Sequence, residues 1–211
     1  MPHRSPLLIA SIAAAAVSLS ACSSLGGAGI NQGGYSLVRQ RPISVGNDTL
    51  VVTPPHEWNR IWARLFVDIG EVEDWTLNGP YLDGITYVTG LKNGTFIVRQ
   101  DKREYRQVPK YRSNMTAPEI TSMLESLFRV RGGAADFKTL NLSPRPFLGT
   151  NGFQFDFEHL DGDEVWRKGR AVGATIDGRL YMILLDAARS HYYAAALPDY
   201  EAIVASARLK R

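Results

Sequence analysis

Phe153-Gln154-Phe155-Asp156-Phe157-Glu158 opens a stretch that runs to Leu185 and holds three strand-like runs divided by two turn signals. Aromatic and polar residues alternate from Phe153 to Glu158, the period of a strand with one buried face. Asp161-Gly162-Asp163 then turns the chain into Val165 to Ile176, and Asp177-Gly178 turns it again into Leu180 to Leu185. Asp-Gly suits the positive φ angles of tight hairpin turns, so the three runs read as an antiparallel meander. Ala171 to Ile176 and Tyr181 to Leu185 are almost continuously apolar. Such strands belong in the middle of a sheet, covered on both faces.

A helix is expected before this meander and another after it. Thr116 with Glu119 three residues on has capping-box spacing, Pro118 fits the first turn, and Gly132-Gly133 supplies the stop. Ile120, Met123, Leu124, Leu127 and Phe128 make one apolar face of the helix from Ala117 to Arg131. The second helix is expected from Pro198 to Leu209, with Tyr200, Ile203, Val204 and Ala207 on one face. The fold class is therefore α+β, a mainly antiparallel β-sheet with helices on both faces. The first half of the chain should add short strands at Tyr35 to Arg39, Ile43 to Val45 and Thr49 to Thr53, and a hairpin in which Asn93-Gly94 joins Gly84 to Thr89 with Thr95 to Val98. Residues 58–69 fit both helical and strand spacing; the part after Arg64 reads better as strand.

Ahead of this domain the chain has a different character. After His3 and Arg4 an apolar run passes through Leu7-Leu8-Ile9-Ala10 and Ala13 to Val17 and ends in Leu19-Ser20-Ala21-Cys22. Charged start, short apolar run and small residues are the layout of a secretory signal peptide, and the run falls short of the roughly 20 residues that span a bilayer. Leu19-Ser20-Ala21-Cys22 resembles the lipobox of bacterial lipoproteins. That resemblance implies cleavage before Cys22 and lipidation of the chain's one cysteine. It divides the chain into a signal peptide, 1–21, a lipidated Cys22 with a glycine-rich tether, 22–34, and a single α+β domain, 35–211. By the sorting rule of enteric bacteria, Ser23, a residue other than Asp after that cysteine, implies an outer-membrane lipid anchor facing the periplasm, with the inner membrane and the cell surface as the alternatives. The sequence Ser23 to Gly34 carries five glycines, and a coil of such composition and length spans roughly 20 Å.

Lys and Arg number 24 against 21 Asp and Glu, and the two signs are interspersed, so no nucleic-acid partner is expected. The densest basic stretch, Arg99 to Arg112, is broken by Asp101 and Glu104 and reads as a solvated loop. No Gly-x-Ser-x-Gly elbow, metal-spaced histidine pair or glycine-rich phosphate loop is present, and no cofactor is expected. The carboxylates Asp156, Glu158, Asp161, Asp163 and Glu164, with His159, are too closely spaced for a calcium loop. Ion pairing of Asp156 and Glu158 with Lys168 or Arg170 on the next strand is the expected use. Trp58, Trp62 and Trp75 are expected in the core. Trp166, on an alternating strand, and His191, Tyr192 and Tyr193, after the last long strand, are the candidate contacts for a ligand or partner.

A wider likeness rests on Gly149, Gly152, Phe153, Phe155, Arg170, Gly173, Asp177 to Tyr181, Tyr192, Pro198 and Ser206, with Trp58-Asn59-Arg60 and Trp75 to Gly79 upstream. In these residues the chain resembles the PsbP-like superfamily, and more closely a set of uncharacterised bacterial envelope lipoproteins. The resemblance implies an α/β/α sandwich, an envelope location and a role as a non-catalytic binding or assembly factor. A small-ligand or lipid-binding lipoprotein, which needs an enclosed apolar cavity, is the alternative. A hydrolase is the third reading, and it needs His56, His159 or His191 in a cleft beside a carboxylate.

Overall fold

The structure is a computed structural model that describes residues 34–62, 68–100 and 107–210. Cys22, the expected signal peptide and the expected tether as far as Gly33 lie outside the described residues. The strands are β1 (Tyr35–Val38), β2 (Ile43–Val45), β3 (Leu50–Val52), β4 (Trp58–Ile61), β5 (Val72–Thr76), β6 (Asp83–Leu91), β7 (Asp136–Pro144), β8 (Phe153–Leu160), β9 (Trp166–Ile176), β10 (Arg179–Ala188) and β11 (Arg208–Leu209). Two helices join them, α1 (Ala117–Arg131) and α2 (Tyr192–Ser206). Eight strands form one antiparallel sheet in the order β1-β4-β5-β6-β10-β9-β8-β7, and β11, β3 and β2 form a second, small one.

The meander is as expected: β8 pairs with β9 and β9 with β10, with Phe157 opposite Gly169 and Asp156 opposite Arg170. Asp177 and Gly178 both have positive φ at the β9–β10 turn. Along β10 the side chains alternate between two cores. Tyr181, Ile183, Leu185 and Ala187 join Trp58, Trp75, Tyr87 and the α2 residues Tyr200 and Ile203. Leu180, Met182 and Leu184 join Phe155, Phe157, Tyr111 and the α1 residues Ile120, Met123 and Leu124.

Helix α1 has the expected bounds, and Glu119 Oε2 accepts hydrogen bonds from the Thr116 N–H at 2.7 Å and the Thr116 hydroxyl at 2.8 Å. Four expectations need correction. First, α2 begins at Tyr192, six residues before Pro198, which lies inside the helix. The cost of its missing donor is offset by Ala196, Tyr200, Ile203 and Val204 in the core. Second, Arg208 and Leu209 are strand, paired with Val51 and Leu50. Third, Thr95 to Val98 does not return along β6, whose two edges are occupied by β5 and β10. The Gly94 N–H and the Thr95 carbonyl bond to the backbone of Tyr111 instead. Within the supposed solvated loop, Val108 and Tyr111 are fully buried. Fourth, Trp62 is 57% exposed while Trp58 and Trp75 are fully buried. Of the ambiguous residues 58–69, Trp58–Ile61 is strand, and 63–67 lie outside the described residues.

Candidate partner-binding face

Alternation along β8 and β9 sorts the chemistry of this region into two faces. Phe153, Phe155, Phe157 and His159 point one way, with Arg167, Gly169 and Ala171 beside them; Gln154, Asp156 and Glu158 point the other way, with Trp166, Lys168 and Arg170. The expected cross-strand pairing holds for Asp156. Arg170 donates from Nε to Asp156 Oδ1 at 2.6 Å and from a second nitrogen to Oδ2 at 3.2 Å. Its remaining nitrogen reaches Glu201 on α2 at 2.8 Å, and Arg145 donates to the other Glu201 oxygen at 2.7 Å. Asn141, held at positive φ in the β7 bulge, adds a bond to Asp156 at 3.1 Å, and Arg145 also bonds Gln154.

Burial pushes the Asp156 carboxyl up, but the bonds from Arg170 and Asn141 and the charges of Arg170 and Lys168 outweigh it and hold the group below the ordinary carboxylate range. Glu201 behaves alike: burial raises it, and the two arginines bring it lower. Arg170 is held more firmly in its charged form, first by Asp156. Two cations and two anions thus neutralise each other within one network.

Beside this network the aromatic candidates occupy separate places. Trp166, half-buried, lies between cations: the Lys138 Nζ is 5.9 Å and the Arg189 guanidinium carbon 5.0 Å from its ring centre. Arg189 also bonds Glu158 and donates its N–H to the Trp166 carbonyl. Tyr193 is buried in the first turn of α2, with Lys168 Nζ 5.0 Å over its ring. His191 is exposed at the start of α2 and meets Tyr192 edge-on, while Tyr192 packs against the core. Trp166 is thus flanked by Lys138 of β7 and by Arg189, just after β10, while Tyr193 is covered by Lys168 of β9. His191 and Tyr192 belong to the helix start.

The other face holds a second polar cluster. His159, 2% exposed, is ringed by Phe128, Phe137 and Phe157, and its Nε2 meets Asp186 Oδ1 at 3.0 Å. Arg167 donates to the other Asp186 oxygen at 2.8 Å and to the Tyr81 carbonyl at 2.7 Å, which ties the β5–β6 connection to β9. His159 Nδ1 is buried without a partner. A small hollow of about 250 Å³ touches His159, Arg167 and Asp186. His56 pairs instead with Asp199 on the surface, so the three histidines of the described residues are dispersed. Among the described residues no group of three or more His, Cys, Asp or Glu side chains could hold a metal ion. Asp161 serves its own turn, its Oδ1 accepting the N–H groups of Asp163 and Val165.

Sequence reading missed Glu201, Arg145 and Asn141, which reach the network from outside the meander. It also grouped His159 with the carboxylates. Strand parity, shared with Phe155 and Phe157, places His159 on the opposite face.

No family model matches the sequence, and no curated protein matches it. Solved structures do. The cyanobacterial PsbP, CyanoP, of Synechocystis sp. PCC 6803 aligns at a TM-score of 0.53 and 15% identity, over 91% of this chain and 99% of that one. LpqN of Mycobacterium tuberculosis, involved in cell envelope biogenesis, aligns at 0.34 and 9% identity, over 85% of this chain and 86% of that one. The likeness to CyanoP defines a fold, the PsbP-like α+β sheet, in agreement with the resemblance read from the sequence.

Proposed function

We propose that this chain is a lipid-anchored protein of a bacterial envelope, held at Cys22 to the outer membrane and facing the periplasm, with a non-catalytic binding or assembly role. In this reading α1 and α2 lie on opposite faces of the sheet, an α/β/α sandwich, because alternate β10 residues join separate cores. One observation carries the binding role: the charges of Asp156, Glu201 and Arg170 on one face and of Asp186 and Arg167 on the other are spent on one another, while Trp166 remains partly exposed beside Lys138 and Arg189. Exposed Val165 directly precedes Trp166, and exposed Leu140 lies farther along the edge strand β7. An aromatic residue with cations beside it and apolar neighbours suits a protein partner. A photoreactive residue in place of Trp166 should give one reproducible envelope adduct in cells. An adduct pattern no different from that of the exposed position Glu57 would contradict the role.

A second reading, small-ligand or lipid binding, is favoured by one feature. A groove of about 1150 Å³ runs between Phe147, Leu148, Val204 and Leu209, with Arg145, Arg208 and Lys210 along it. Apolar walls with cations suit an anionic amphiphile. Its measure is the melting temperature with and without a fatty acid, which should rise if the groove takes one.

A further inference from the structure

The outermost strand of the large sheet leaves its apolar side chains in water. Tyr35 and Leu37 of β1 are 53% and 54% exposed, and Trp62, at the end of β4, is 57% exposed. The three lie at one corner of the sheet but on its two faces: Tyr35 pairs with Ile61, whereas the Trp62 N–H donates to the Gly34 carbonyl at 2.9 Å and the Trp62 ring lies against Gly34, on the face opposite to Tyr35 and Leu37. By alternation Tyr35 and Leu37 leave one face of the sheet, while Ser36 and Val38 turn to the other. Among the described residues β1 has a neighbour strand on one side only, so side chains from both faces can lean past that edge. Arg39 and Arg41, both exposed, follow directly.

An edge strand with large exposed apolar residues is a hazard in a free protein, and such edges are ordinarily short, charged or covered. Here the position in the chain indicates the cover. The thirteen residues 22–34 separate the lipidation site from Tyr35, and even fully extended they reach at most about 45 Å. The β1 corner is the part of the described body nearest to Cys22 along the chain. Tyr and Trp, with an apolar body and a polar edge, settle at the headgroup level of bilayers, and arginines beside them meet anionic headgroups.

We infer that the β1 corner, through Tyr35, Leu37 and Trp62 flanked by Arg39 and Arg41, rests on an anionic phospholipid surface and sets the orientation of the anchored domain. This rests on the reading of Cys22 as lipidated. Docked in this way, the sheet presents its β1 edge to the membrane and its β7 edge, with Trp166 nearby, to the aqueous side.

The test uses the full lipidated protein in vesicles of phosphatidylethanolamine and phosphatidylglycerol with brominated acyl chains. The Trp166→Phe protein serves as the parent, because Trp58 and Trp75 are fully buried and Trp62 is then the exposed indole. Bromolipid should quench its emission, and Trp62→Phe should abolish the quenching. Leu37→Asp, at an exposed position, should reduce it, and Arg39→Gln with Arg41→Gln should reduce it most at low salt. Protein that sediments with the vesicles while Trp62 escapes quenching would leave the anchor standing and overturn the docking. Protein that fails to sediment and carries an unmodified Cys22 would remove the anchor, and the docking with it.

Discussion

Gly169 lies beneath the ring of Phe157. A Cβ built there would stand 2.0 Å from the ring's Cζ, and Gly173 stands in the same relation to Phe153 at 2.9 Å. Phenylalanines across from glycines fill the space that the missing side chains leave in the sheet. Gly169→Ala must displace a fully buried ring, so it should cost about 1–3 kcal/mol, seen as a lower urea midpoint with little change in slope. The Asp156 network gives a prediction in pH. Asp156 and Glu201 sit below the ordinary carboxylate range when folded, so the folded state binds fewer protons than the unfolded one. Their contribution is complete above the ordinary carboxylate value of about 4 and is lost as pH falls through the lowered folded values. Arg170→Met should therefore be less stable than wild type at pH 7, with the gap closing on acidification; a gap independent of pH would contradict the network. At this scale a β9 cation beside Asp156 was legible, as Lys168 or Arg170, and the register of the β8–β9 turn selects Arg170. Glu201 was not, since it stands 31 residues on from Arg170, beyond the whole of β10 and within α2.

Among the elements, α1 carried its own punctuation. Cap, proline, apolar stripe and glycine stop all agree, and the helix has the expected bounds. α2 broke the same rules: Pro198 marks its interior, and the true start, His191-Tyr192, has no capping side chain. Packing decides there, since Tyr200 and Ile203 are fully buried and the Tyr200 hydroxyl donates to the Ile183 carbonyl at 3.1 Å. Tyr200→Phe keeps the ring and removes that bond, and should cost about 1 kcal/mol, read as a fall in melting temperature. The Asn93-Gly94 signal failed for another reason. Gly94 does adopt positive φ, but a turn residue specifies a bend and not the partner strand. The loop from Thr76 to Asp83 shows what some of the family-like residues do. Buried Asp83 accepts bonds from the Thr76 hydroxyl and the Leu77 and Asn78 N–H groups, so this loop is braced from within.

For the molecule as a whole, the pairing of β8, β9 and β10 could be anticipated from alternation and turn chemistry, whereas the pairings of β1 to β6 and a partner could not, because short strands leave their neighbours open and binding faces are written in surface residues that no fold requires. Trp166 was legible as a surface aromatic. Trp62 was not, because a tryptophan among apolar neighbours reads as core until the edge of the sheet is known. In the proposed reading Leu19-Ser20-Ala21-Cys22 carries the address. Cys22→Ser should move the protein from the membrane fraction to the soluble one, and retention in the membrane would mean that something other than the lipid holds it. The most direct measurement is mass spectrometry of the mature N-terminal peptide from purified envelopes. The account predicts a chain that begins at Cys22 and carries a diacylglyceryl thioether and an acylated amino group. A chain that retains residues before Cys22, or that bears a free Cys22 thiol, would contradict it.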